Sequence, residues 1–544
     1  MPNLNKKTNF IKQAGILAFA GILCRIIGIL YRSPLTQIIG DEGNGYYSSA
    51  YNIYTIILLV SSYSIPSAIS KEISQKLYLK EYKNAQRIFR CALIYVLIVG
   101  GAASLLTFFC AGFLVEKNSA MVLRVFSPTI LLSGFLGVFR GYFQAHRTMT
   151  QTSISQILEQ ILNAVISITA AYLLMQTVAD ESATTKAIYG AAGSAIGTGA
   201  GVIIALLFML LVYLYNKNII MKRLRQDSES KISSYKSLTR RIILTVTPII
   251  LSTFIYNLST SLNQTIYTKI NMYWKGIEET MVAASYGIFA GKAVVISNIP
   301  IAIASAMSAA MLPAIAGTFI QGNMKETNRK IEMATRTTMM ISIPAAIGLA
   351  VLARPVVQLL FPQKQSLMLA ASLLKCMSIT IIFYSLSTLT NAVLQGIGKV
   401  NLPVINALVS LVLQTIVLFV ILFFTKWDLY GLAAATVTYS LIMCILNGYA
   451  IKKHLGYRQN IKMTFLLPLA ASVVMGIVAA LSYIGVYRIC NNNIISLFVS
   501  ILIAGAVYFI LIIKLGAVSE HELVGLPKGK ALVQIMKKVK LLRS

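Results

Sequence analysis

The stretch AGILAFAGILCRIIGILY, residues 14–31, carries one charge, Arg25, and forms most of an apolar run from about Phe10 to Tyr31. A second run, from about Ala283 to Met311, carries Lys292 alone. About 20 apolar residues suffice to cross the hydrocarbon core. A fixed cation there costs about 2.5–3.5 kcal/mol by insertion scales, so it faces a wet cavity and marks a substrate path. Two buried cations and very few acids within apolar runs point to an anionic cargo.

Composition supports a membrane setting. Of 544 residues, 57% are hydrophobic and 12% charged, whereas soluble domains carry about 25% charged residues. The net charge of +31 would suggest nucleic acid in a soluble chain. Here the basic residues are scattered through short loops, the footprint of membrane topology, and no nucleic-acid partner is expected. Six cysteines lie far apart without a CxxC pair, and three histidines do not cluster; no metal site or cofactor is expected. With no P-loop, Ser/His/Asp set or paired carboxylates, the sequence gives no support for an enzyme.

The expected fold is an all-α polytopic membrane protein of about fourteen spans. They fall near 10–31, 47–70, 88–114, 121–143, 153–176, 187–216, 241–268, 283–311, 337–361, 367–394, 402–424, 430–451, 463–487 and 493–514. Loops on the N-terminal side hold about 35 of the 48 Lys and Arg, and the opposite loops about 11. That bias places both termini in the cytoplasm.

An internal repeat organises the chain. Ser64-Ile65-Pro66-Ser67-Ala68-Ile69 in span two resembles Asn298-Ile299-Pro300-Ile301-Ala302-Ile303 in span eight. At one fixed offset Ser127, Gln144 and Asn163 fall on Ser378, Gln395 and Gln414. Spans six and twelve open Tyr189-Gly190 and Tyr430-Gly431. Six spans is an even number, so the copies are parallel repeats forming two lobes around a cleft. The expected parts are a first lobe at 1–222, a basic linker at 223–240 and a second lobe at 241–455. Spans thirteen and fourteen (456–514) are appended, and a basic amphipathic tail (515–544) lies on anionic lipid.

Arg25 and Arg32 are seven residues apart and share a helix face, with Arg25 about 10 Å deeper at 1.5 Å per residue. Lys292 lies about 14 Å below the outer face by the same rise. Opposed across a cleft, Arg25 and Lys292 would clamp a pyrophosphate, with Arg32 and Asn52 as further substrate-binding candidates. The competing reading has Arg25 bonded to carbonyls or a carboxylate and Lys292 snorkelling outward. Glu159 is a candidate for coupling or gating together with Gln156 and Arg140, or a plain ion-pair partner of Arg140 or Arg147. Gly193, Gly197 and Gly201 form overlapping GxxxG spacings, whose default use is close helix packing.

These features resemble the multidrug/oligosaccharidyl-lipid/polysaccharide exporter superfamily, and within it the bacterial flippases for undecaprenyl-pyrophosphate-linked sugars. That branch includes the lipid II flippases and the stage V sporulation protein B type. The resemblance rests on Cys24-Arg25-Ile26-Ile27-Gly28, Ile38-Ile39-Gly40-Asp41-Glu42-Gly43 and Ile65-Pro66-Ser67-Ala68-Ile69-Ser70-Lys71. Phe139-Arg140-Gly141-Tyr142-Phe143-Gln144 and Ser155-Gln156-Ile157-Leu158-Glu159-Gln160 add to it. It implies two six-helix lobes in a V, and it matches Arg25 to a first-span arginine implicated in binding substrate pyrophosphate. Tyr51, Asn52 and Tyr54 stand where such flippases can carry a second-span arginine. Lys292 lies one turn from the usual eighth-span basic position near Val295.

The expected activity is export of a lipid-linked anionic glycan, lipid II before other glycans, across the cytoplasmic membrane. Membrane lipids and the cell-wall synthesis machinery are the expected partners. The competing readings are a flippase for another lipid-linked polysaccharide unit, a cation-coupled drug exporter and a non-transporting scaffold.

Overall fold

The structure, a computed structural model, describes residues 20–21, 23–63, 65–146, 148–227 and 233–516. Every regular element among them is helical. The tail expected at 515–544 lies almost wholly outside the described residues, as does the start of the first span. Among the described residues eleven helices are long and apolar enough to cross a membrane, and they coincide with eleven of the fourteen expected spans. Phe113 is 94% and Phe424 83% exposed, which in water would invite aggregation and in a bilayer is contact with lipid.

Two compact units divide the chain, Met1–Gly291 and Lys292–Ser544. The first contains α1 (Arg32–Leu58), α2 (Ile65–Tyr78), α3 (Tyr82–Tyr95), α4 (Gly101–Leu114), α5 (Lys117–Ala145), α6 (Met149–Thr177), α7 (Ala183–Tyr215), α8 (Lys217–Gln226), α9 (Tyr235–Lys269) and α10 (Glu279–Ile288).

The loop expected between residues 31 and 47 is replaced by helix. The amide of Tyr31 donates to the Ile27 carbonyl and that of Leu35 to the Tyr31 carbonyl, each at 3.1 Å, so the first membrane helix continues into α1. It stops at Gly40, whose φ of 71° and ψ of −179° reverse the chain between two helical halves. Only glycine adopts that backbone without strain. Hydropathy missed this helix because Arg32, Ser33, Gln37, Asp41, Glu42 and Asn44 make it polar.

Lipid tails are as apolar as leucine, so helices in a bilayer associate through close contact and hydrogen bonds rather than apolar burial. The glycine stripe of α7 does this against α6. A Cβ on Gly193 would lie 2.5 Å from the Ala171 nitrogen, one on Gly197 2.3 Å from the Ser167 nitrogen, and one on Gly201 2.6 Å from the Glu159 carbonyl. Ser167 Oγ also donates to the Ser194 carbonyl at 3.0 Å.

The second unit contains α11 (Val294–Ile320), α12 (Met324–Val351), α13 (Ala353–Leu360), α14 (Leu367–Gly396), α15 (Asn401–Phe424), α16 (Asp428–Leu455), α17 (Leu467–Cys490) and α18 (Asn493–Lys514). Asn447 of α16 donates to Asn391 Oδ1 of α14 at 2.8 Å and accepts from Asn406 of α15 at 2.8 Å. This buried network ties three helices together, near the C-terminal ends of α14 and α16 and the N-terminal end of α15. The α17/α18 pair packs on α12, where the Tyr508 hydroxyl donates to the Met340 carbonyl at 2.8 Å.

Gly197→Ala is expected to force α6 and α7 apart and to cost about 1–3 kcal/mol, the usual range for overpacking. Gly112→Ala, where a Cβ meets nothing within 4 Å, is the matched control. Thermal unfolding in detergent checks both; equal midpoints would show that the stripe does not set the spacing.

Candidate functional site

In the first unit, α1, α5, α6 and α7 enclose a cavity of about 530 Å³ whose wall is mainly polar. From α1 and the turn before it come Tyr31, Arg32, Tyr47, Tyr51 and Tyr54; from α5, Arg140 and Gln144; from α6, Gln156, Glu159, Gln160 and Asn163. Tyr47, Tyr51 and Tyr54 are spaced four and three residues apart, so helical periodicity aims all three the same way. Tyr47 and Tyr51 stack at 5.6 Å between centroids, and Tyr54 stacks on Phe126 at 4.7 Å. The rings are thus held by one another, a rigid amphipathic wall with hydroxyls toward the space.

Arg32 enters this cavity beside Tyr31, its hydrogen-bond partner, and near Tyr47 and Tyr51. The other basic group is neutralised locally. Arg140 Nη2 donates to Glu159 Oε2 at 2.7 Å and Arg140 Nε to Ser155 Oγ at 2.9 Å. Their side chains are 15% and 29% exposed, so the pair is neither dry nor fully solvated. Gln156 lines the same wall, and its Oε1 is buried without a partner among the described residues.

The remaining candidates lie elsewhere. Arg25 is exposed and is not part of this cavity wall, although Gly28, one turn further on, is. Asn52 Nδ2 donates to Gln264 Oε1 at 2.5 Å and to the Tyr286 hydroxyl at 2.9 Å, joining α1 to α9 and α10. Lys292, in the second unit, is 1% exposed. Its ammonium donates to Gln363 Oε1 and, at 2.5 Å, to Ser366 Oγ, both in the connection after α13. Among the described residues no cluster of His, Cys, Asp and Glu suits a metal ion.

A polar cavity lined by an arginine whose hydrogen-bond partner is a tyrosine, inside a bundle of apolar helices, is the plan of a transporter. A family model described as lipid II flippase MurJ matches residues 85–508. The chain belongs to that family. Over 499 residues it is 24% identical to the lipid II flippase MurJ of Bacillus subtilis, covering 86% of this chain and 88% of that one. Over 532 residues it is 24% identical to stage V sporulation protein B of the same organism, covering 96% and 98%. Among solved structures, a lipid II flippase MurJ in an inward closed conformation superposes with a TM-score of 0.65 at 16% identity, over 91% of this chain and 97% of that one. An outward-facing transporter of the multidrug MATE family reaches 0.58 at 15% identity, over 82% and 96%. These structures show the shared fold.

The tyrosine wall of this chain is the feature that a search for charges misses; its 47, 51, 54 spacing was the available signal. Gln363 and Ser366 sit in a connecting segment, and nothing in their spacing announces Lys292 as their partner.

Replacing Arg140 and Glu159 by glutamine, singly and together, is expected to give a coupling free energy of about 1–2 kcal/mol, as for charge-assisted bonds with partial water access. A double-mutant cycle on thermal stability measures it. A coupling indistinguishable from zero would mean that the two side chains act independently.

Proposed function

We propose that the chain is a flippase that moves an undecaprenyl-pyrophosphate-linked cell-wall precursor, lipid II foremost, from the inner to the outer leaflet by alternating access. The observation that carries the reading is the match to the lipid II flippase family across residues 85–508, joined to an arginine standing in a polar cavity within apolar helices. A diphosphate needs fixed cations and a glycan needs hydroxyls and amides. The Arg32 wall offers both kinds of partner, with the planar guanidinium suited to two phosphate oxygens at once.

Arg25, Arg32 and Lys292 are the proposed anion-binding groups, with Asn52 supporting. In this conformation Lys292 is engaged by Gln363 and Ser366, so its part in binding requires exchange of those neutral acceptors for phosphate oxygens. Glu159, Gln156 and Arg140 form the proposed coupling element, because protonating Glu159 would release the Arg140 guanidinium. A ligand shifts such a switch only through unequal affinity for its two states.

The proposed setting is the cytoplasmic membrane with both termini inside, following the excess of Lys and Arg in the loops on the N-terminal side. The proposed domain plan keeps the repeat at 1–222 and 241–455 with the linker at 223–240. Cell-wall synthesis enzymes are the proposed partners. No covalent step is required of the chain.

Complementation tests the assignment. In a bacterium depleted of its own lipid II flippase, the wild-type chain should restore growth and lipid II export. Arg25→Ala and Arg32→Ala should each lower export about tenfold or more, the effect of losing a charge-assisted contact. A correctly inserted wild-type chain that leaves lipid II inside would shift the assignment to another lipid-linked glycan.

A further inference from the structure

A second cavity, of about 210 Å³, opens where the ends of α2, α3, α5, α6 and α8 meet. One wall is apolar, with Leu77, Phe143, Ile219 and Ile220; the other presents Gln86, His146, Gln151 and Arg223. No carboxylate is among its lining residues. Nothing in the proposed transport mechanism uses this space.

Each polar group has a defined state. His146 Nδ1 lies 2.9 Å from the Tyr142 carbonyl, and a carbonyl only accepts, so Nδ1 carries hydrogen and Nε2 is the remaining nitrogen. Gln86 Nε2 is committed to the Tyr213 hydroxyl at 2.7 Å. Gln151 Oε1 is buried and unpartnered among the described residues, so it calls for a hydroxyl or ammonium donor. Arg223 belongs to α8, whose sequence KNIIMKRLRQ alternates basic and apolar side chains in the manner of a helix lying at a membrane surface.

We propose that this cavity binds the headgroup of an anionic, hydroxyl-bearing phospholipid, its phosphate on Arg223 and the Nε2 side of His146, its hydroxyl on Gln151, and its glycerol and first methylenes along Leu77, Phe143 and Ile220. The lipid comes from the leaflet these helix ends meet, the cytoplasmic one in the orientation proposed above. A membrane lipid fits better than free phosphate because half the lining is apolar and α8 is basic. The site is separate from the transport cavity and stands whether or not lipid II is the cargo.

The pH response follows. Burial is the largest cause holding His146 below the ordinary histidine value; the Arg223 charge acts in the same direction, against the Tyr142 carbonyl. The other titratable side chains lining the cavity are Tyr82 on α3 and Tyr142 on α5. A bound phosphate favours the imidazolium, so binding takes up a proton and affinity falls as pH rises through neutrality.

The experiment titrates the purified full chain in detergent with dihexanoyl phosphatidylglycerol, dihexanoyl phosphatidylcholine and inorganic phosphate, from pH 5.5 to 7.5. Phosphatidylglycerol should bind, more tightly at the lower pH, and the other two at least tenfold more weakly. Arg223→Gln should lose about tenfold in affinity, the scale of one charge-assisted contact. His146→Gln should abolish the pH dependence, whereas Lys222→Gln, an exposed neighbour outside the cavity, should bind as wild type. Circular dichroism and melting curves confirm that the variants fold. Unchanged affinity in Arg223→Gln, an equal loss in Lys222→Gln, a retained pH slope in His146→Gln, or phosphate binding as tightly as the lipid would each overturn the proposal.

Discussion

In a bilayer no water is available to repair an unmade hydrogen bond, so every polar group within the helices must find its partner inside the protein or in a wet cavity. The Arg140–Glu159 pair answers that constraint in the first unit: two charges on the polar wall of the cavity, each holding the other. The cavity, the tyrosine wall and the placement of Arg32 follow from the same need. Polar side chains gather where water can reach, and the outward faces are left to leucine, valine and phenylalanine.

The second unit meets the constraint with neutral groups. Asn391, Asn406 and Asn447 bond to one another across three helices, and the Lys292 ammonium donates to an amide and a hydroxyl. Breaking a buried pair by removing one member costs more than never having built it. The described contacts thus differ between the units: an ion pair beside the cavity of the first, and an asparagine network with a buried ammonium in the second.

Much of the architecture was legible in the sequence because membrane spans announce themselves by length and composition. The α6/α7 contact was legible from glycines at every fourth residue, and the Arg140–Glu159 contact from one acid and one arginine near the ends of consecutive spans. The extension of the first helix through Arg32 to Gly40 was not. Its side chains include Arg32, Ser33, Thr36 and Gln37, of which Arg32 lines the cavity, and a hydropathy window reads such residues as loop. The 210 Å³ cavity was equally invisible, since its lining comes from five short stretches separated by up to about 150 residues. The engagement of Lys292 depends on a connecting segment whose path no periodicity encodes.

The backbone contact between Gly201 and the carbonyl of Glu159 has one more implication. With α6 pressed against α7 at three successive turns, the main chain at Glu159 has no room to slide or rotate. Rearrangement there is confined to the Glu159 side chain or to α6 and α7 moving as one body, the latter on the microsecond scale of a helix shift. Sliding of one helix past its neighbour is then left to other pairs.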